Sequence, residues 1–70
     1  MLDKVNFDSS NVVAATYNTN TEILDISFKG ARVYRYFDIS ICFWEEFKVA
    51  DSPGRFVNEY LNGMDCERIS

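Results

Sequence analysis

Apolar and polar residues alternate along the first half of the chain with the two-residue period of half-buried strands. The segment 11–17 is β-branched and apolar, and a cluster of turn-forming residues follows it. In 24–29 every second residue is apolar, and Gly30 then allows a tight reversal into a further segment at 31–37. The pattern therefore predicts three antiparallel strands joined as a meander.

The period changes after Asp38 to that of an amphipathic helix. Ser40 can cap its start, and the helix is expected to end near Asp51, shortly before a proline. The side chains predicted to contact the sheet share one helical face. They are Phe43, Trp44, Phe47 and Ala50.

A second amphipathic helix is predicted to begin at Pro53. Ser52 can cap it, and Pro53 suits its first position, where no amide hydrogen is needed. Asn62 and Gly63 are suited to end it. One face carries the apolar residues Phe56, Val57, Tyr60 and Leu61.

The order of elements predicts an α+β fold, β-β-β-α-α, with both helices on one face of a three-stranded antiparallel meander. Any other placement leaves an apolar helix stripe and an apolar sheet face exposed. We predict a single domain over residues 1–70, with an ordered core at about 9–63 and a frayed polar tail at 64–70. The start at 1–8 is polar, and no segment has the length of a signal peptide or membrane helix, which favours a cytoplasmic protein.

The composition favours a folded chain without a metal or cofactor. Hydrophobic residues make up 47% and aromatic residues 16%, which excludes the composition of a disordered protein. Cys42 and Cys66 are the only cysteines, are predicted to be reduced thiols, and are accompanied by no histidine. Zinc prefers nitrogen and sulfur ligands, so we expect no zinc site.

Catalysis is not expected. Without histidine, no residue has a visible partner at the spacing of a nucleophile or an acid–base pair. Ser9 and Ser10 are predicted to form a turn before the first strand, and Ser52 to cap a helix. The three glycines are scattered and form no phosphate loop.

Net charge argues against general attraction to nucleic acid. Eleven acidic and seven basic residues give −4. Lys29, Arg32 and Arg35 nevertheless form a local basic patch around the glycine turn, which is either a binding surface or a solvated hairpin tip.

The hairpin loop decides where Tyr34 and Tyr36 point, because one added residue exchanges the two faces of a strand. With a two-residue loop, Phe28 faces Val33 and Ile26 faces Arg35. The tyrosines then join Asp25, Ser27, Lys29 and Arg32 on the face away from the helices, as a platform on which bases could stack. With a three-residue loop, Phe28 faces Tyr34 and Ile26 faces Tyr36, and both rings enter the core. We favour the second register, since it keeps the Arg35 charge in water.

Several features match a known family in order and spacing. They are Ser9 and Ser10, Tyr17, the alternation of Leu24, Ile26 and Phe28, the glycine turn, the Tyr34 and Tyr36 pair, the run from Ala50 to Phe56, and Asn58. In these the chain resembles the KTSC domain, which is named for the C-terminus of some lysyl-tRNA synthetases and also occurs as a single-domain protein in bacteria and phages. It departs from that pattern at Gly30, displaced by about one position, and at 37–40, where a Gly-Val-Pro-like turn is usual.

The resemblance implies a β-β-β-α-α domain of uncharacterised role, with RNA binding suggested by its company with a tRNA synthetase. From the sequence we hypothesise a non-catalytic module that binds RNA or a protein partner. The sequence leaves open whether it forms an oligomer. The candidate binding residues are Lys29, Arg32, Tyr34, Arg35, Tyr36, Gly54 and Arg55. The alternative is a small acidic phage-type protein that inhibits a host nucleic-acid-binding enzyme or immune complex through protein–protein contact.

The last two candidates belong to one local hypothesis. Amides at the start of the second helix, near Pro53, Gly54 and Arg55, could hold an anion with help from the helix dipole and the Arg55 charge. The other interpretation is an ordinary capped helix.

Overall fold

The computed structural model describes residues 2–9 and 11–70. Five strands form one antiparallel sheet in the order β1-β2-β3-β4-β5, and two helices follow β4 in the chain. The strands are β1 (Leu2–Asn6), β2 (Val12–Asn18), β3 (Ile23–Phe28), β4 (Arg32–Tyr36) and β5 (Cys66–Arg68). The helices are α1 (Ile41–Lys48) and α2 (Pro53–Tyr60). The α+β class, the antiparallel meander and the two helices are confirmed.

The strand count differs from the prediction, because the sheet has five strands and not three. β1 pairs with β2 from Leu2 opposite Asn18 to Asn6 opposite Ala14. Strand β1 lies at the sheet edge and has no fully buried residue. A strand of this kind needs few apolar residues, so its sequence shows little of the alternation by which strands are predicted. Backbone pairing with β2 holds it in the sheet.

The other unpredicted strand, β5, lies in the segment expected to be a frayed tail. It pairs with β4 from Tyr34 opposite Arg68 to Tyr36 opposite Cys66. Backbone hydrogen bonds continue the pairing beyond it, from Val33 N to Ser70 O at 3.2 Å and from Ile69 N to Val33 O at 2.9 Å. The expectation of a frayed tail at 64–70 is therefore wrong.

The core lies between one face of the sheet and the two helices. Tyr17 of β2 stacks on Trp44 of α1 with ring centroids 5.3 Å apart, and both side chains are fully buried. Aromatic pairs of this geometry add about 0.5–1.5 kcal/mol beyond the burial of their area. The remaining core residues are Val12, Ala15, Leu24, Ile26, Tyr36, Ile39, Phe47, Val57 and Leu61.

The predicted start of α1 is confirmed and its predicted end is wrong. The Ser40 hydroxyl accepts a hydrogen bond from Phe43 N at 3.2 Å. The helix ends at Lys48, three residues before Asp51, and Val49 already leaves helical geometry with ψ of 8°. Trp44 and Phe47 are buried as expected, whereas Phe43 is only partly buried.

Helix α2 starts at Pro53 as predicted, but its cap differs. Ser52 occupies the cap position and its side chain makes no capping hydrogen bond. Val57 and Leu61 enter the core, whereas Tyr60 is 54% exposed. The tyrosine ring instead lies on Phe56, with centroids 4.7 Å apart.

The β3–β4 hairpin has a three-residue connection, 29–31, in which Gly30 and Ala31 have φ of 88° and 61°. Ile26 lies opposite Tyr34 and Phe28 lies opposite Arg32. The expected direct partners are therefore wrong by two residues, because the strands pair immediately on either side of the connection.

A shift of two residues preserves the face of each side chain. The favoured placement of Tyr34 and Tyr36 on the helix side is accordingly confirmed. The alternative stacking platform on the opposite face is wrong.

Candidate functional site

A cleft of about 440 Å³ opens between the β3–β4 hairpin, the sheet edge at β5 and helix α2. Its volume lies within the range typical of small-ligand sites, roughly 300–1,000 Å³. Its wall is formed by Asn11, Phe28, Arg32, Tyr34, Tyr36, Gly54, Val57, Asn58, Leu61, Asn62, Gly63, Met64 and Cys66. No Asp or Glu occurs among these described lining residues, although the chain has eleven acidic residues. The cleft therefore suits a neutral or anionic ligand.

Arg32 supplies the positive charge of the cleft. Its Nε donates a hydrogen bond to the Lys29 carbonyl at 3.2 Å, and its guanidinium carbon lies 5.8 Å from the centre of the Phe28 ring. No ion pair to Arg32 is found in the described part of the chain. These contacts hold the guanidinium in place and leave its terminal nitrogens available to a ligand.

Tyr34 and Tyr36 line the cleft in different ways. Tyr34 is partly buried and meets Phe28 edge to face, with centroids 5.7 Å apart. Tyr36 is only 7% exposed. Burial raises the pKa of the Tyr36 hydroxyl above its ordinary value, and Cys66, which shares a hydrogen bond with it, raises it further. The hydroxyl therefore stays protonated at neutral pH.

The polar wall of the cleft comes from asparagine side chains. Asn58 lies in the last turn of α2 and Asn62 lies two residues after its end, and both are exposed. Both line the cleft. Each amide can both donate and accept hydrogen bonds, as can the amide of Asn11, which lies beside Gly54.

Arg35 lies on the opposite face of the sheet. Its guanidinium makes a two-pronged contact with Asp25, Nε to Oδ1 at 2.9 Å and Nη2 to Oδ2 at 3.1 Å. These hydrogen bonds raise the pKa of Arg35 further, with a smaller contribution from Glu67. Arg35 is thus engaged within the sheet and does not belong to the cleft.

Lys29 and Arg55 also lie outside the cleft. Lys29 lines an adjoining groove at the hairpin tip, which shares Phe28 and Arg32 with the cleft. Arg55 projects from the other side of α2, into a groove with Glu46, Asp51 and Glu59. Gly54 lines the cleft and Arg55 lines the other groove, and the anion hypothesis for the amides near Pro53, Gly54 and Arg55 stays a prediction. Of the seven predicted site residues, the cleft gathers Arg32, Tyr34, Tyr36 and Gly54.

Sequence reasoning missed the asparagines as functional candidates. The sequence places Asn58 and Asn62 on the polar face of the second helix, with Asn58 also in the family pattern and Asn62 as a helix terminator, but this assigns neither a binding role. Their four-residue spacing on the polar face of α2 was a usable signal. Asn11 carried none, because it reaches the cleft only through the fold.

Within residues 2–9 and 11–70, no helix has both the length and the apolar character needed to cross a membrane.

Comparison with known proteins agrees with this architecture. A protein from Tsukamurella paurometabola is 35% identical over 51 residues, which cover 73% of this chain and 76% of that protein. The crystal structure of a KTSC domain protein from Yersinia pestis superposes with a TM-score of 0.90 over the whole of both chains, at 24% identity. The sequence model of the KTSC domain matches residues 8–64. The chain therefore belongs to the KTSC domain family.

Proposed function

We propose that the chain is a non-catalytic binding module of the cytoplasm, and that its partner is single-stranded RNA bound at the cleft. The observation that carries the proposal is the local reversal of charge. The chain has a net charge of −4, yet the described cleft lining combines one arginine with no carboxylate. Arginine is a common contact for nucleic-acid phosphates, and a wall without carboxylates spares them repulsion.

The side chains that line the cleft support single-stranded RNA over duplex nucleic acid. Side chains recognise single-stranded RNA by hydrogen bonding to exposed base edges and by contact with aromatic rings. Asn11, Asn58 and Asn62 supply the first kind of group and Tyr34 the second. A duplex hides the Watson–Crick edges of its bases in pairing, and its phosphates would also meet the acidic remainder of the surface.

A non-catalytic role is supported by the chemistry of the lining. Its thiol, Cys66, has no imidazole, carboxylate or amine among the described lining residues to act as a base. A hydrolytic or acid–base reaction needs such a pair. The cleft can bind and orient a ligand with the groups it holds.

The test is a fluorescence anisotropy titration with labelled single-stranded RNA, at low and at physiological salt. We expect saturable binding that weakens with salt, since phosphate contacts release counterions. Arg32→Ala should weaken it about tenfold or more, the equivalent of one charge-assisted hydrogen bond of roughly 1.5–3 kcal/mol. Arg35→Ala is the matched control, because it removes an arginine from the opposite face and should leave the affinity unchanged. Absence of saturable RNA binding by the folded wild-type chain would refute the proposal.

A second candidate function has its own observation. Glu46, Asp51 and Glu59 line the groove beside α2 that also holds Arg55. Such a surface could dock on a basic, nucleic-acid-binding protein and occupy the place of phosphates, as an inhibitor would. Capture of a basic host protein that is lost in Glu46→Gln and Glu59→Gln, together with no RNA binding, would favour this function.

A further inference from the structure

We infer that the cleft holds a single nucleotide unit, with its phosphate on Arg32 and its base against Asn58 and Asn62. This inference rests on the proposed function and specifies its ligand. It predicts that a free ribonucleoside monophosphate binds at the same site as RNA. It also predicts that the bound RNA contributes one nucleotide to the cleft.

The size of the cleft fits one unit. A volume of about 440 Å³ is near the lower end for small-ligand sites. Modules that bind several nucleotides offer open grooves along which successive bases stack on exposed rings. Here Tyr36 is buried and Tyr34 is partly covered by Phe28, so the described part of the cleft wall holds no row of exposed rings.

Arg32 is prepared for a phosphate. Its Nε donates to the Lys29 carbonyl, and its guanidinium carbon lies within cation–π distance of the Phe28 ring. Its terminal nitrogens can then donate to two oxygens of one anion, which is the geometry that favours arginine over lysine. Arg35 differs from Arg32, because its guanidinium already donates two hydrogen bonds to the Asp25 carboxylate.

The base site follows from the opposite wall. Asn58 in α2 and Asn62 just after it are exposed amides that line the cleft with the buried apolar side chains of Val57 and Leu61. An apolar floor with amides at its rim fits a planar heterocycle, whose faces are apolar and whose edges carry donors and acceptors. A carboxylate introduced at this wall would repel the phosphate while keeping nearly the same side-chain shape.

The experiment is calorimetric titration of the full chain with each of the four ribonucleoside 5′-monophosphates, the matching nucleosides and inorganic phosphate. We expect saturable binding of at least one monophosphate, weaker binding of its nucleoside, and weaker binding still of phosphate alone. Arg32→Ala and Asn58→Asp should each weaken monophosphate binding tenfold or more. Arg32→Lys should recover part of that loss, and Arg35→Ala should have no effect. Circular dichroism of each variant shows whether it folds.

Competition separates this inference from the proposed function. The monophosphate that binds should displace labelled RNA from the wild-type chain. RNA binding that no monophosphate displaces would overturn the inference and leave the proposed function standing. Phosphate binding as tightly as every monophosphate would also overturn it, since no base site would then exist. Failure of both RNA and monophosphates to bind would overturn both.

Discussion

The indole Nε1 of Trp44 donates a hydrogen bond of 2.9 Å to Oδ2 of Asp3, joining α1 to the edge strand β1. Trp44 is fully buried, so its N–H group needs a partner inside the fold. Lys48 Nζ lies 3.2 Å from the same oxygen. One carboxylate therefore ties a strand with little apolar character to the helix layer.

Stability at acid pH should depend on Asp3. The hydrogen bonds from Trp44 and then Lys48 hold the pKa of Asp3 below its ordinary value of 3.8. At a pH between the unfolded-state pKa of 3.8 and the lower folded-state pKa, the unfolded chain binds more protons than the folded chain. The stabilisation from Asp3 is therefore present above pH 3.8 and is lost as pH falls through the folded-state pKa. Asp3→Asn should flatten that part of the profile, measured by urea unfolding at a series of acid pH values. Glu45→Gln, which removes the other partner of Lys48, is the control and should keep the slope. An unchanged slope in Asp3→Asn would contradict the assigned role.

Tyr17→Phe should destabilise the fold without opening a cavity. The Tyr17 hydroxyl donates to the buried Ile39 carbonyl at 2.5 Å, and the ring that stacks on Trp44 is kept in the variant. Leaving a buried carbonyl without a partner costs roughly 1–3 kcal/mol, which chemical denaturation at neutral pH measures. Tyr60→Phe, at an exposed ring, should change stability little. Equal stability of the two variants would show that the hydroxyl contributes nothing.

The same variant should alter the alkaline limb of the stability profile. Burial, with a smaller contribution from Glu22, raises the pKa of Tyr17 above its ordinary 10.0. Above pH 10 the unfolded chain loses this proton first, so stability falls as pH rises through the folded-state pKa. Tyr17→Phe lacks that group, so its free energy of unfolding should fall less steeply. Unfolding at a series of alkaline pH values measures the difference.

The central strands and the helices were predictable from the sequence because their periods are local. β2, β3 and β4 each begin and end within a residue of the predicted bounds. The edge strands β1 and β5 were not predictable, since each exists through backbone pairing with a neighbour and has no buried apolar face of its own. Pairing of that kind is a long-range property of the chain.

The candidate site was predictable only in part, because it depends on which face each residue takes. Arg32 and Arg35 looked equivalent in sequence, yet their odd spacing puts them on opposite faces of β4. The favoured register, with a three-residue loop, placed Tyr34 and Tyr36 correctly on the sheet face that carries the helices. No local pattern showed that α2 would stand over them and supply Asn58 and Asn62.

The two serine caps should differ when each is replaced by alanine. Ser40→Ala removes the hydroxyl that accepts from Phe43 N and should cost about 1 kcal/mol. Ser52→Ala removes no capping hydrogen bond and should cost less than about half as much. Thermal and urea unfolding of the pair measure the difference. Equal losses would show that Ser52 caps α2 in solution.

Deletion of residues 66–70 should both expose the edge of β4 and weaken ligand binding in the cleft. The deletion removes two backbone hydrogen bonds at Val33 as well as the pairing of β5, and each such bond contributes about 0.5–1.5 kcal/mol. It also removes Cys66 from beside Tyr36, so the RNA affinity that the proposed function predicts should fall with stability. Native-state hydrogen exchange at the Val33 amide reports the pairing directly, since that N–H donates to Ser70 O. Glu67→Gln keeps the strand and should protect Val33 as the wild type does. Rapid exchange at Val33 in the intact chain would show that β5 does not hold the edge in solution.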